Sequence, residues 1–552
     1  MGIEDYKGAV ACPMGLHPHG AFGGKRLLLW LSSTQDGRAC AHRAGRTKRE
    51  CRDADGAVRD QCVVIADGTV LLKAIPARLQ TFDDLVGHFC AYFADALETA
   101  RHVIIVLDDA RHVTRAKYEE QSRRDSTVAK KKVVCSEDLE QTPTTDDYDF
   151  ATLRELSTVR PMLKDFRATR SRAYDAIMMA AFTHVTTTLH ELDPTGESFS
   201  LTLDGVDPRG ADRPIGAPRH AQVLFSHAYM QTALWPRKYA RDQVAPGRGS
   251  EPLGEGDIKL PDWIARYEAF AWMSSALVHC NYFLVETNDS DSFLIELLGE
   301  AARRHYRDED VRTGWDEMDV NGTPTDARPP ASDFTVVLAL LQTNPSKIDP
   351  KRAKRDDAAE EQRQVEVEQS ASGRYCFVHM GLFYEHLVRH IGVAHLDAEQ
   401  RLHACALLVA TVALCGCDFV QKGALRTDRA IEALRCALAC PPEQQRALLH
   451  SASRMLCPSA GAPDAECEEI LKGRESLRHV VDLAAANLAD EPGVRASAVA
   501  AARECTDTLL MRSAWVVAYW SGHERRDVET FGFLPPRSAD ARPTEPVIVS
   551  CV

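Results

Sequence analysis

The sequence predicts an α/β fold with a mostly parallel central sheet and a helical C-terminal part. Three observations lead there. Two short apolar runs, CVVIADGTVLL and RHVIIVLDDA, have the β-branched character of buried strands. Between them TFDDLVGHFCAYFADALETA repeats Leu85, Phe89, Tyr92, Phe93 and Leu97 at helical spacing, with no hairpin signal on either side. Strand, helix, strand in that order is a βαβ unit, so its two strands run parallel. Finally, residues from about 423 to 552 carry a largely helical pattern before a Pro-rich tail.

Taken in order, residues 24 to 61 are polar, and the basic stretch AHRAGRTKRECRD reads as a loop or insertion. The first strand ends in Asp67 and the second in Asp108 and Asp109. Acids that close parallel strands share one edge of the sheet, the edge where open α/β folds bind ligands. Farther on, YDAIMMAAFTHVTTTLHEL is a helix, and SLTLDG and AQVLFSHA are strands. The segment VHCNYFLVETNDSDSFLIELL sets Asp289 and Asp291 just beyond an apolar run. Residues 350 to 372 form a charged linker or exposed helix. Asp397 with Gln400 makes a capping box for a helix that stops at Gly416, and Asp418 follows that stop.

Composition narrows the class of protein. A 552-residue chain with 45% hydrophobic and 7% aromatic residues is globular, with one large domain carrying insertions or two to three domains. Its formal charge of −14 gives no general attraction to a nucleic acid backbone, so such a site has to be a local basic patch. The 17 cysteines show neither paired CxxC motifs nor zinc-type Cys/His spacing, which points to scattered thiols in a reducing compartment. MGIEDYKGAV has no signal core, Tyr6 stands where a myristoylation signal needs Ser or Thr, and no apolar run reaches the roughly 18 residues of a membrane span. These features predict a soluble intracellular protein.

The carboxylates then form a pattern. In PLGEGDIKLPDWIARYEAF, Glu255 and Asp257 alternate with glycines on a loop directly before an amphipathic helix. Asp67, Asp108, Glu255, Asp257, Asp289, Asp291 and Asp418 each follow an apolar element or sit in a tight glycine loop. Seven such acids at one sheet edge need cations, and hard divalent ions such as Mg²⁺ take carboxylate oxygens. Two ions roughly 4 Å apart suit phosphodiester cleavage. In RAKYEEQSRR, Lys117, Gln121 and Arg124 are spaced to share one helix face, a set of donors suited to a terminal phosphate.

These motifs resemble the 5′-nuclease superfamily of flap endonucleases, XPG-type nucleases and XRN-type 5′→3′ exonucleases. MGI, VVIADGTVLL, VIIVLDD, NDSDSF and LCGCDF occur in the family's order, and GEGDIK, HCNY and RAKYEEQSRR are closest to the XRN branch. The resemblance implies a PIN-like nuclease core, with its first part at residues 1–125 and its second at 251–435. Residues 126–250 are then a linking insertion and 436–552 a helical extension. It further implies Mg²⁺ or Mn²⁺, two ions in number, held by the seven acids, and RNA or DNA with a 5′ end as partner. Lys117, Gln121 and either Arg123 or Arg124 become the reader of the 5′-phosphate. Asp109 is the alternative to Asp108, and Glu268 the alternative to the Glu255/Asp257 pair. Lys73 replaces a base-stacking histidine of the XRN pattern, and the stretch after GCDF lacks the flap enzymes' Gly-x-Gly turn. The implied reaction is metal-dependent 5′→3′ hydrolysis with RNA slightly favoured. The alternatives are flap cleavage of DNA and an inactive nucleic-acid-binding homologue.

Overall fold

A computed structural model describes residues 41–68, 71–72, 75–76, 78–107, 150–159, 172–192, 199–205, 221–224, 280–287, 290–313, 334–341, 375–417, 427–456, 463–489 and 507–520, with residues 27, 163 and 420 and most of 256–264. The strands are β1 (Ala41–Arg46), β2 (Cys62–Asp67), β3 (His102–Val106), β4 (Ser200–Asp204), β5 (Ala221–Leu224), β6 (Tyr282–Thr287), β7 (Thr335–Leu341) and β8 (Tyr375–His379). They form one sheet in the order β1-β8-β7-β6-β2-β3-β4-β5. Six neighbours, β7 through β5, run parallel, while β8 is antiparallel to both β7 and β1. The predicted α/β class and parallel sheet are therefore present.

The predicted βαβ unit is β2, α2 (Phe82–Thr99) and β3. Thr81 and Asp84 cap the helix reciprocally, and Leu85, Phe89, Phe93 and Leu97 are its buried face. The remaining helices are α1 (Lys48–Ala54), α3 (Phe150–Glu155), α4 (Arg172–Leu192), α5 (Ser290–Thr313), α6 (Met380–His390), α7 (Ala398–Leu414), α8 (Thr427–Leu438), α9 (Pro442–Ser453), α10 (Pro463–Ala489) and α11 (Asp507–Trp520). Asp397 caps α7 by accepting from the Gln400 backbone N–H at 2.8 Å. Residues 24–61 are not simply a loop: β1 joins the sheet edge, and a Thr47–Glu50 capping box starts α1.

Two cores cover the sheet. On one face, α2 and α4 pack over Val64, Ala66, Val103 and Ile105. On the other, Val63, Ile65, Val106, Phe283, Val285 and Leu338 meet α5, α6 and α7, and α8 through α11 extend that same core. Alternation along each strand decides the face of every side chain. α7 is almost wholly buried, which is why its pattern is hydrophobic all round rather than on one stripe. None of the described cysteines forms a disulfide, and no described helix is long and apolar enough to cross a membrane.

Two imidazoles are held neutral by the packing. Burial, with Arg101 and Arg59 nearby, pushes His102 down to about 4, and burial beside His305 pushes His403 down to about 4, against Asp397. The unfolded chain therefore binds protons that the native one refuses between pH 6.5 and 4, and native stability is lost as pH falls through that window. Each group accounts for on the order of 3 kcal/mol across it. Urea midpoints measured across this range should fall steeply for the wild type, and His403→Gln should flatten the slope; an unchanged slope would show that His403 does not contribute.

Candidate functional site

β2 lies at the centre of the sheet, with β3, β4 and β5 continuing to one side and β6, β7 and β8 to the other. The strand order reverses between β2 and β6, and the crevice beyond the carboxyl ends of strands at such a point is where open parallel sheets bind ligands. Pairing register defines one row across this edge. Asp67 pairs with Val106, Val106 with Asp204, Ala66 with Glu286, and Thr287 with Leu340. Asp204, Val106, Asp67, Thr287 and Leu340 thus stand level on five adjacent strands. Val106 and Leu340 belong to the core beneath α5, so alternation turns Asp67 and Thr287 to that face too.

The first turn of α5 completes the edge. Asp291 is the second residue of that helix and is 4% exposed, while Asp67 is 5% exposed. Thr287 Oγ1 donates to Ser292 Oγ at 2.8 Å, and Ser292 Oγ donates in turn to Asp257 Oδ1. A hydroxyl relay therefore ties Asp257 to the end of β6 and the start of α5. An acid near the N-terminus of a helix is also favoured by the helix dipole.

A second tether holds the segment that carries Asp257. The described residues of 256–264 are helical, and Leu260, Trp263 and Ile264 are buried at i, i+3 and i+4. Asp257 therefore lies on this helical run rather than on the loop the glycines predict. Lys259 Nζ donates to Leu107 O at 2.8 Å and pairs with Asp204 Oδ1 at 3.2 Å, and Trp263 Nε1 donates to Asp204 Oδ2 at 2.8 Å. Both ions are entirely excluded from solvent. A glycine allows the approach: Gly205 has φ +93°, and a Cβ there would lie 2.4 Å from Leu107 O and 2.9 Å from Lys259 Nζ.

Asp67, Asp257 and Asp291 thus stand at the same edge of the sheet, although among the described residues no three acids there bring their oxygens within 4.8 Å of one another. Asp108, Asp109, Glu255, Glu268, Asp289 and Asp418 lie outside the described residues, as do Lys117, Gln121, Arg123 and Arg124. Asp204, Lys259, Thr287 and Ser292 are additions to the predicted set. Of these, Asp204 carries the same sequence signal as Asp67, an acid closing an apolar run, in SLTLDG.

The diagonally opposite corner of the sheet holds different chemistry. Cys51, Asp55 and His379 each offer a ligand atom, all within 4.8 Å of one another, so the protein has a group that could hold a metal; among the described residues no other such group of three occurs. Tyr282 OH donates to Asp55 Oδ2 at 2.6 Å. Burial, the neighbouring Cys51 and the hydrogen bond to Asp55 all push the Tyr282 phenol up, keeping it a proton donor. On the same face, near the carboxyl end of β6, Glu286 is closed off by Lys48 Nζ at 2.7 Å and Tyr92 OH at 2.9 Å. Compared with known proteins, the chain matches no family model and no curated sequence.

If the tether is the main support of this edge, Lys259→Met, which leaves Asp204 buried without its cation, should cost about 3–5 kcal/mol. Gly205→Ala should also destabilise, through a backbone clash and a positive φ. Chemical denaturation checks both, and a change below about 0.5 kcal/mol in each would remove the tether from the account.

Proposed function

We propose that the protein is a metal-dependent nuclease with a PIN-like core that hydrolyses phosphodiester bonds from the 5′ end of a nucleic acid, with RNA slightly favoured over DNA. The observation that supports this reading is that Asp67 ends β2, Asp291 lies in the first turn of α5 and Asp257 is hydrogen-bonded to Ser292 beside it, all at the switch-point edge of a parallel sheet.

The donor set fits a hard cation. Every group assembled at this corner, three carboxylates and the hydroxyls of Thr287 and Ser292, offers oxygen, and oxygen ligands favour Mg²⁺ or Mn²⁺ over soft metals. Asp67, Asp257 and Asp291 would hold the ions, with Asp108, Glu255, Asp289 and Asp418 as the further ligands the sequence offers. Bound there, two such ions supply Lewis-acid activation of water and charge neutralisation at the leaving oxygen.

The chain's own residues do the positioning. The Thr287–Ser292–Asp257 relay fixes the direction in which the Asp257 carboxylate presents its lone pairs, because Oδ1 is committed to the Ser292 hydroxyl. Lys259 neutralises Asp204, two strands from Asp67, so Asp204 adds little net charge to the edge. Burial of Asp67 and Asp291 keeps bulk water from screening the charges that meet the phosphate. Lys117, Gln121 and Arg124 or Arg123 would read the 5′-phosphate by charge-assisted hydrogen bonds.

Asp67→Asn and Asp291→Asn should each slow cleavage by about 10²–10³-fold with Mg²⁺ or Mn²⁺ while binding changes little, because the lost interaction acts in the transition state. The assay uses 5′-phosphorylated RNA, single-stranded DNA and flap DNA, with circular dichroism as the control for folding. Activity equal to wild type in both variants would place the chemistry elsewhere. No cleavage of any of the three substrates by the wild type would favour the inactive nucleic-acid-binding homologue.

The phosphate reader makes a separate prediction. Contacts of this kind are worth on the order of 1.5–3 kcal/mol each, so 5′-hydroxyl RNA should react about tenfold to several-hundredfold more slowly than 5′-phosphorylated RNA. Arg124→Ala should erase that difference. Equal rates on both ends, with cutting at a flap base, would replace the exonuclease reading with flap cleavage.

A further inference from the structure

We infer that Cys51, Asp55 and His379 form a binding site for Zn²⁺ that fastens α1 to β8 beside the start of β6, separate from the oxygen-rich edge. The site is prepared by local structure. Cys51 and Asp55 stand four residues apart across the end of α1, so both face the same way, and Gly56 at φ +72° turns the chain immediately afterwards. His379 closes β8, where it pairs with Val337 near the beginning of β7. Tyr282 opens β6. Three separate elements therefore meet around one carboxylate oxygen.

The two distances to Asp55 are close to those of a tetrahedral site. Zinc bonds of about 2.0 Å to oxygen and nitrogen and about 2.3 Å to sulfur imply ligand separations of about 3.3 Å for oxygen to nitrogen and about 3.5 Å for oxygen to sulfur. Asp55 Oδ2 lies 3.4 Å from His379 Nε2 and 3.9 Å from Cys51 Sγ. Shifts of a few tenths of an ångström bring Asp55 to these separations from both partners, and the Cys51 sulfur and His379 nitrogen lie within 4.8 Å of each other. A thiolate, an imidazole and a carboxylate together are borderline-soft, which selects Zn²⁺ over the hard Mg²⁺ of the opposite edge. Three protein ligands leave a fourth position for water, beside the Tyr282 hydroxyl 3.7 Å from Cys51 Sγ. Tyr282 orients the Asp55 carboxylate from outside the coordination sphere.

As the sulfur–zinc bond forms, the Cys51 S–H bond breaks and its proton leaves to solvent, so zinc uptake releases a proton and strengthens as pH rises. The site does not share the nuclease reading's ligands. Tyr282 and Thr287 are at opposite ends of β6, about 16 Å apart along the strand, and alternation turns them to opposite faces.

The test is metal analysis of the full chain purified without chelator, set beside Cys51→Ser and His379→Gln. The wild type should carry about one zinc per chain, each variant should lose it, and chelation should lower Tm in the wild type but not in the variants. Because a variant could fail to fold, X-ray absorption at the zinc edge of the wild type provides a second reading. One sulfur among otherwise nitrogen and oxygen neighbours supports the site. No zinc, zinc retained at full stoichiometry in both variants, or a shell of several sulfurs overturns it, and none of these outcomes bears on whether the opposite edge cleaves nucleic acid.

Discussion

The Lys259–Asp204 pair is the constraint on which the carboxylate edge depends. Neither ion touches solvent, so each must find its full set of partners inside the protein. Asp204 does so with Lys259 on one oxygen and the Trp263 indole on the other, and Lys259 adds the Leu107 carbonyl. Those three contacts locate the helical run of 256–264 against the ends of β3 and β4. Once that run is located, Asp257 can reach the Ser292 hydroxyl, and the third described carboxylate joins the edge. A buried pair of this kind adds little net stability relative to apolar packing. What it provides is a single geometry, since any slip of the segment leaves a charge unpaired in the interior.

Alternation along β6 explains how one sheet keeps two polar corners apart. Glu286 and Thr287 are consecutive, yet they serve opposite faces. Glu286 is fully buried, and its charge is met by Lys48 from α1 and the Tyr92 hydroxyl from α2. Thr287 is neutral and donates a hydrogen bond to the Ser292 hydroxyl. Both faces therefore hold a buried ion pair, Lys48–Glu286 on one and Lys259–Asp204 on the other, and the second face adds hydrogen-bonded acids at the edge.

Much of this was legible in the sequence, for physical reasons. β2, α2, β3, α4, β4 and α7 declare themselves through local periodicity and caps, and Asp67 and Asp291 through their positions after apolar runs. β7 and β8 passed unnoticed because TVVLALL and YCFVH are short, and an apolar run of that length has no period that separates strand from helix. β1 was hidden more deeply: AHRAGR has no apolar alternation, and only its pairing with β8 makes it a strand. The Lys259–Asp204 and Cys51–His379 contacts join residues far apart in the chain, so spacing rules could not reveal them. Cys51 and Asp55 sit in a stretch that reads as a loop, and the histidine that meets them lies more than 300 positions later.

The parallel sheet itself favours this division of labour. All six parallel strands present their carboxyl ends together, so acids that close them accumulate at one edge, and the first turn of α5 adds backbone N–H groups there. At the opposite edge the strands begin, and the antiparallel return of β8 brings its last residue, His379, to that side. A carboxyl terminus of the odd strand out is what places an imidazole beside a cysteine and an aspartate from α1. The same topology that concentrates hard oxygen donors at one end therefore assembles a nitrogen, sulfur and oxygen set at the other, and their separation follows from strand direction rather than from the residues alone.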